Sequence, residues 1–132
     1  MGGREGLEGA VAMRLERGTV VLVDLDPTVG HEQTNVRPCV VVSDPVVAAD
    51  QRYPLVGVVP LTGKEGRGAL YPKIPAGSGG LRKDSWALTD QIRSIDKRRI
   101  VAAYRSLEPA DMDAIDEGVR LFLGLSPVDP EG

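Results

Sequence analysis

The chain has 132 residues, of which 42% are hydrophobic and 27% charged, and its net charge is −3. This is enough for one modest core but not for two domains, and no apolar run approaches the roughly eighteen residues of a membrane span. A single cysteine, Cys39, excludes an internal disulfide and lies among valines, where it is expected as a small buried hydrophobe. We therefore expect a soluble cytoplasmic protein.

The two ends of the chain differ in composition from its middle. Residues 1–16 are rich in glycine and acidic residues and lack the basic start and long apolar run of a secretion signal. We predict a flexible leader over residues 1–16, one folded domain over residues 17–126 and a flexible tail over residues 127–132.

Strand patterns dominate the first hundred residues, with β-branched runs separated by Gly and Pro. Residues 19–23 and 40–42 are apolar at consecutive positions, which is typical of strands covered by protein on both faces. Short strands without intervening helices indicate a mainly β fold, either a small barrel or a packed sheet. The predicted strands are 19–25, 38–43, 53–61, 69–75, 85–95 and 99–107.

A helical period replaces the strand pattern after Leu107. Apolar residues then follow one another at spacings of three, four and three, while acidic residues crowd the first half, where the helix dipole favours negative charge. This predicts an amphipathic C-terminal helix from about 109 to 124 and completes an α+β, mainly β fold. The apolar stripe is Met112, Ile115, Val119 and Phe122.

Charge is unevenly spread along the chain. Residues 62–99 carry nine Lys and Arg against four Asp and Glu, whereas both flanking segments are acidic. A basic middle segment is either a phosphate-binding surface or an ordinary solvated face.

A twelve-residue polar stretch, "PTVGHEQTNVRP" at 27–38, contains the only histidine and separates two predicted strands. Loops of this length inside compact domains tend to be functional or disordered. One His and one Cys without a nearby acidic cluster do not make a metal site, and no phosphate-binding glycine motif is present, so we expect neither metal nor cofactor. The remaining polar candidates are His31, Glu32, Gln33, Arg37, Thr62, Asp90, Gln91 and Arg93.

Three blocks of the sequence, "RGTVVLVDLDPTVGHEQTNVRPCVVVS", "VVPLTGK" and "DSWALTDQIRSIDKRRI", resemble the signature blocks of the MazF/PemK (Kid) toxins of toxin–antitoxin modules. The resemblance spans roughly residues 17 to 124. It implies an SH3-like barrel of five to seven short strands with a C-terminal helix, a homodimer, and metal-independent, sequence-specific cleavage of single-stranded RNA. It also implies an acidic, partly disordered antitoxin as partner.

Such cleavage needs the 2′-OH deprotonated, the leaving 5′-oxygen protonated and the charge on phosphorus stabilised, and it gives a 2′,3′-cyclic phosphate and a 5′-OH. Arg37 suits the charge role because its guanidinium offers a fork of donors and stays protonated. The resemblance makes Arg37 catalytic and matches Thr62 to the threonine used beside that arginine. If Thr62 has no catalytic role, it is expected to be a strand-end residue that caps a turn.

Two residues compete for the proton transfers. His31 has a near-neutral pKa and matches a histidine of the PemK/Kid branch, although many MazF members have serine there. Asp90 matches that branch's proposed base, but Leu88 replaces an arginine two positions earlier. Strand alternation would put Asp90 on an apolar face with Leu88 and Ile92 as a structural carboxylate, so its role stays open.

The remaining candidates are expected to bind RNA. Glu32, Gln33 and Gln91 could read base edges of extruded nucleotides, while Lys64 and Arg93 come from the basic segment. Trp86 is a core residue or a stacking platform. Two alternatives stay open: a CcdB-like gyrase-binding toxin that uses its C-terminal residues, and a barrel that binds nucleic acid without cutting it.

Overall fold

The computed structural model describes residues 15–25 and 35–125. Within these two ranges the regular elements are seven strands, two α-helices and three 3₁₀ turns. The strands are β1 Thr19–Asp24, β2 Val36–Val41, β3 Leu55–Thr62, β4 Lys73–Ile74, β5 Ser85–Ala87, β6 Arg93–Asp96 and β7 Ile100–Ser106. The helices are α1 Pro45–Ala49 and α2 Pro109–Leu123, and the 3₁₀ turns are Ser78–Gly80, Thr89–Gln91 and Lys97–Arg99.

The strands form one curled antiparallel sheet in the order β4-β5-β3-β2-β1-β7, with β6 also paired to β3. β3 changes partner along its length, since Leu55–Val58 pair with β6 and Leu61–Thr62 pair with β5. Pro60 lies at this change, where its lack of an N–H costs no bond to either partner. This half-barrel with a C-terminal helix confirms the mainly β fold expected from the sequence.

Both faces of the central strands are buried, as the consecutive apolar runs predict. On one face Val21, Cys39 and Val58 join a core that includes Ala48 of α1. On the other face alternate residues, such as Val40 and Leu61, join a second core beneath α2. Strands with a core on each side need no polar face, which explains why the alternation of a half-exposed strand is missing from their sequence.

The helix α2 begins and ends almost where the sequence predicts. Its Ile115 is fully buried, and a side chain from a distant turn caps its start: Ser78 Oγ accepts the Glu108 N–H at 3.0 Å and donates to Asp111 at 2.6 Å. At the other end of α2, the last residue of the predicted apolar stripe does not join the core: Phe122 is 47% exposed.

The predicted single strand over 85–95 is wrong. It is divided into β5 and β6 by the turn Thr89–Gln91. Thr89 is fully buried and its hydroxyl donates to the Leu70 carbonyl at 2.6 Å, while Gly118 of α2 packs so closely on Thr89 that a Cβ there would lie 2.8 Å from it. Tertiary packing against α2 therefore overrides the local strand propensity.

Other predicted boundaries also shift. The predicted strand 69–75 is reduced to β4, and the predicted loop 27–38 ends earlier because β2 begins at Val36. The helix α1 was missed, although Asp44 caps it by accepting the Val46 N–H at 2.9 Å and Pro45 opens it.

The predicted leader and tail fall largely outside the described residues, which exclude 1–14 and 126–132. Leu15, within the predicted leader, is 2% exposed and joins the core that contains Cys39. Arg17 next to it makes a bidentate ion pair with Asp116 of α2, at 2.5 and 3.1 Å. Across the described part of the chain, no helix is both long and apolar enough to span a bilayer.

Candidate functional site

Arg37 lies in β2, not in a loop, and is partly buried. It pairs with Val23 of β1, while two residues further along β2 Cys39 pairs with Pro60 of β3. Carrying this antiparallel register on by two residues sets Arg37 opposite Thr62 at the end of β3. Residues that face each other across such a register project from the same face of the sheet. The register therefore predicts that two candidates 25 positions apart in the sequence lie on neighbouring strands, at the same end of the sheet.

Thr62 is the last residue of β3 and is partly buried. Its hydroxyl oxygen accepts the backbone N–H of Lys64 at 3.1 Å, which holds the turn that follows. That bond uses a lone pair and not the hydroxyl proton, so the turn-capping and donor roles are compatible at this residue.

The pairing continues from Thr62 across the next two strands. Thr62 pairs with Trp86 of β5, and Trp86 pairs with Lys73 of β4. Trp86 is partly buried, and the Lys73 ammonium lies 5.9 Å from the centre of its ring. Trp86 is therefore not a fully buried core residue. Side chains alternate along β5, so Trp86 projects from the face opposite to that of Ser85 and Ala87, which are both buried.

A cavity of about 240 Å³ opens beside Thr62. Lys64 and Gln91, two predicted RNA-binding residues from different turns, line it together with Thr62. Its described lining is Thr62, Lys64, Glu65, Gly66, Tyr71, Leu88 and Gln91.

Asp90 sits in the 3₁₀ turn Thr89–Gln91, so strand alternation does not apply to it and its predicted place on a strand face with Leu88 and Ile92 is wrong. One of its carboxylate oxygens accepts the Tyr71 hydroxyl at 2.5 Å. The other is buried without a hydrogen-bond partner among the described residues. The hydrogen bond to Asp90, together with partial burial, raises the pKa of Tyr71. Asp90 thus holds Tyr71, a residue of the cavity wall.

Arg93 faces the same side of the sheet as Arg37, because it pairs with Val58, which lies on the face of Cys39. Burial raises the pKa of the Cys39 thiol to about 12, an effect that the positive charge of Arg93 opposes. The strand pairings thus put Arg37 and Arg93 on one face of the sheet.

Three predicted site residues, His31, Glu32 and Gln33, lie outside the described residues. Within 15–25 and 35–125, no group of three or more His, Cys, Asp or Glu side chains could hold a metal ion.

Comparisons with known proteins agree on one family. The profile described as "PemK-like, MazF-like toxin of type II toxin-antitoxin system" matches residues 16–123. The chain is 32% identical over 113 residues to Endoribonuclease EndoA of Bacillus subtilis (strain 168), a match that covers 86% of this chain and 97% of that protein.

Solved structures of the same fold are similar along almost their whole length. An endoribonuclease from Mycobacterial species has a TM-score of 0.71 at 19% identity, covering 88% of this chain and 97% of its own. An endoribonuclease in complex with its cognate antitoxin, also from Mycobacterial species, has a TM-score of 0.69 at 19% identity, covering 86% and 98%.

Proposed function

The chain belongs to the PemK-like, MazF-like toxin family of type II toxin–antitoxin systems, and we propose that it is an endoribonuclease that cuts single-stranded RNA at short specific sequences. The observation that supports this proposal is the pairing of β2 with β3, whose register, extended by two residues beyond Cys39 and Pro60, puts Arg37 opposite Thr62. The relative that is 32% identical is itself named an endoribonuclease.

In the proposed reaction the RNA supplies its own nucleophile. The 2′-oxygen loses its proton to a base and attacks the adjacent phosphorus, and the bond from phosphorus to the 5′-oxygen breaks as that oxygen takes up a proton. The products are a 2′,3′-cyclic phosphate and a 5′-OH. The proposed reaction uses neither a metal nor a cofactor.

Arg37 stabilises the negative charge that builds on the phosphoryl oxygens, because a fixed guanidinium fork matches two of them. Thr62 donates its hydroxyl proton to the same group and holds it in place. Preorganised donors of this kind act where charge develops in the transition state, and they need no reorganisation at the moment of reaction.

For the proton transfers we propose His31, because an imidazole ordinarily titrates near neutral pH and can both accept and donate a proton. Asp90 suits the role less well, since one carboxylate oxygen is occupied by Tyr71 and the other is buried. We assign Asp90 to positioning Tyr71.

We assign RNA recognition to the remaining candidate residues. Glu32, Gln33 and Gln91 read base edges, while Lys64 and Arg93 attract phosphate. Support comes from the cavity that places Lys64 and Gln91 beside Thr62.

The proposed protein partner is an antitoxin that inhibits the toxin. An acidic, partly disordered segment of it would compete with RNA for the basic region. Because the proposed substrate is RNA, we also propose that the protein acts in the cytoplasm. We propose a homodimer whose interface includes the exposed apolar side chains at the end of α2. These are Leu121, Phe122, Leu123 and Leu125, between 47 and 60% exposed.

The test is cleavage of a short mixed-sequence single-stranded RNA by the purified protein in EDTA, with mapping of the new ends. We expect 5′-OH termini at a restricted set of sequences. Arg37→Ala should lower the cleavage rate about 10²–10³-fold, as expected for the loss of one preorganised donor.

Arg52→Ala is the matched control, because its side chain is 94% exposed on the loop before β3, at the strand end remote from Thr62. It should cleave like the unaltered protein. Full activity of Arg37→Ala, or a strict requirement for added divalent metal, would contradict the proposed mechanism.

A further inference from the structure

The row of paired residues that contains Thr62 continues away from Arg37. Trp86 and Lys73 follow Thr62 across two strands. Neighbouring strands lie about 4.8 Å apart, so the Lys73 Cα is about 10 Å from that of Thr62. Side chains of paired residues project from the same face, and the three therefore form a line perpendicular to the strands.

This line faces away from the second core. The preceding pair, Leu61 and Ala87, is buried on the opposite face, as is Ile74 next to Lys73. Because side chains alternate along a strand, the outward positions fall to Thr62, Trp86 and Lys73. Trp86 is partly buried and the Lys73 side chain is 56% exposed. The line is thus accessible to a polymer that crosses the sheet.

We propose that Trp86 and Lys73 form a nucleotide subsite flanking the cleavage site, in which a base stacks on the indole and the adjoining phosphate pairs with the ammonium. This inference rests on the proposed ribonuclease function and adds to it a direction for the RNA, from Arg37 across Thr62 to β4. Aromatic stacking beside a positive charge is how single-stranded nucleic acids are commonly bound.

The present contacts of Lys73 are ones that RNA can replace. Its ammonium lies over the Trp86 ring and 3.4 Å from Asp84. Asp84 is held independently by the Ala76 N–H at 2.9 Å, so Lys73 is the member of the pair that is able to move. Exposed ion pairs of this kind contribute little. An entering base takes the ring face, and the ammonium moves to the phosphate.

The first test uses the fact that Trp86 is the only tryptophan of the chain. A short mixed-sequence RNA with every ribose 2′-O-methylated is titrated into the unaltered protein, since it cannot be cut through a 2′-OH. We expect saturable quenching of tryptophan fluorescence, with the same midpoint as the anisotropy of a labelled copy of that RNA.

Variants of Trp86 test whether stacking on its ring contributes to the affinity for RNA. By anisotropy, Trp86→Leu should bind this RNA roughly 5- to 100-fold more weakly, as stacking on one aromatic side chain predicts. Trp86→Phe keeps an aromatic face and should bind within a few-fold of the unaltered protein.

Lys73→Gln tests the phosphate contact. It should reduce the slope of log K against log salt by about 0.7, the contribution of one phosphate contact on a single strand. The matched control Arg52→Gln removes one exposed charge away from the row and should leave the slope unchanged.

These experiments distinguish a failure of the subsite proposal from a failure of the proposed ribonuclease function. RNA binding and cleavage by the unaltered protein with constant tryptophan emission, or Trp86→Leu folded by circular dichroism and binding at full strength, would overturn the subsite and leave the ribonuclease intact. An unaltered protein that neither binds nor cuts RNA would remove both proposals. The fluorescence titration needs no variant, so misfolding of Trp86→Leu does not prevent a decision.

Discussion

At the scale of single residues, the site side chains owe their positions to the partners of their strands. The backbone of Arg37 is held by its pairing with Val23 of β1, and the side chain of Asp90 by a hydrogen bond from Tyr71. A residue whose surroundings already hold it loses less freedom when substrate binds, which favours preorganised charge stabilisation.

The assignment of Asp90 to positioning makes a prediction for its variants. Asp90→Asn keeps an acceptor for the Tyr71 hydroxyl, so we expect cleavage within about tenfold of the unaltered protein, whereas loss of a general base costs about 10²–10⁴-fold. Asp90→Ala and Tyr71→Phe should lower the rate equally, and their combination no further, because both break one bond. A 10²-fold loss in Asp90→Asn, with disappearance of the acidic limb of the pH–rate profile, would instead identify Asp90 as the base.

The buried Cys39 thiol predicts a pH dependence of stability. Its pKa is raised from 9.0 to about 12, mainly by burial. Between these values the folded state keeps a proton that the unfolded state has lost, so the free energy of unfolding should fall by about 1.4 kcal/mol per pH unit above about pH 9. Below pH 9 the contribution is complete and constant.

Urea unfolding at pH 8, 9 and 10 would measure this slope. Cys39→Val is the comparison, since it removes the thiol and keeps a small apolar side chain. Tyr71 and Lys97 titrate in both proteins and cancel in the difference. Equal slopes for the two proteins would contradict the prediction.

At the scale of elements, short segments are held by side chains from distant parts of the chain. The five-residue helix α1 is too short to be stable alone. Lys97, 3% exposed, donates its ammonium to the carbonyls of Val47 at 2.9 Å and Asp50 at 2.7 Å, at the helix end. Burial lowers the pKa of Lys97. The turn Thr89–Gln91 is likewise maintained by packing against α2.

Removal of this ammonium should destabilise the fold. Lys97→Met keeps the length of the side chain but leaves two partly buried carbonyls without their charged donor, so we expect the free energy of unfolding to fall by about 1.5–3 kcal/mol. Arg98→Met is the control: its side chain is 82% exposed and pairs with Asp96 at the surface, a contact worth at most about 1 kcal/mol. Urea denaturation of both variants measures the difference, and equal losses would contradict the anchoring role.

At the scale of the whole molecule, the sheet has a core on each face, while one end of α2 remains apolar and exposed. Contiguous apolar patches of this kind mark interaction sites. The patch includes Leu121, which is 60% exposed, and Phe122.

The proposed homodimer should depend on this patch. Replacing Phe122 and Leu123 by serine is expected to shift the protein from dimer to monomer at micromolar concentration, because apolar area that would be buried between copies is lost. Sedimentation equilibrium measures the shift. Val46→Ser, at a side chain that is 75% exposed elsewhere, is the control and should remain dimeric; a double variant that stays dimeric would place the interface on another surface.

Local sequence patterns were sufficient to predict the mainly β fold, the C-terminal helix and the candidate residues, because strand and helix periods and the three family blocks each lie within a short stretch of chain. Consecutive valines predicted the burial of both strand faces for the same reason. The family profile over residues 16–123 confirms the resemblance read from those blocks.

The division of 85–95, the support that holds the short helix α1 and the bond from Tyr71 to Asp90 became visible only in the folded chain. The physical reason is that each depends on a partner far away in the sequence: Gly118 and Leu70 at the turn, Lys97 at the helix, and Tyr71 nineteen positions before Asp90. The line through Thr62, Trp86 and Lys73 is of the same kind, since strand register is fixed by pairing and no local pattern contains it.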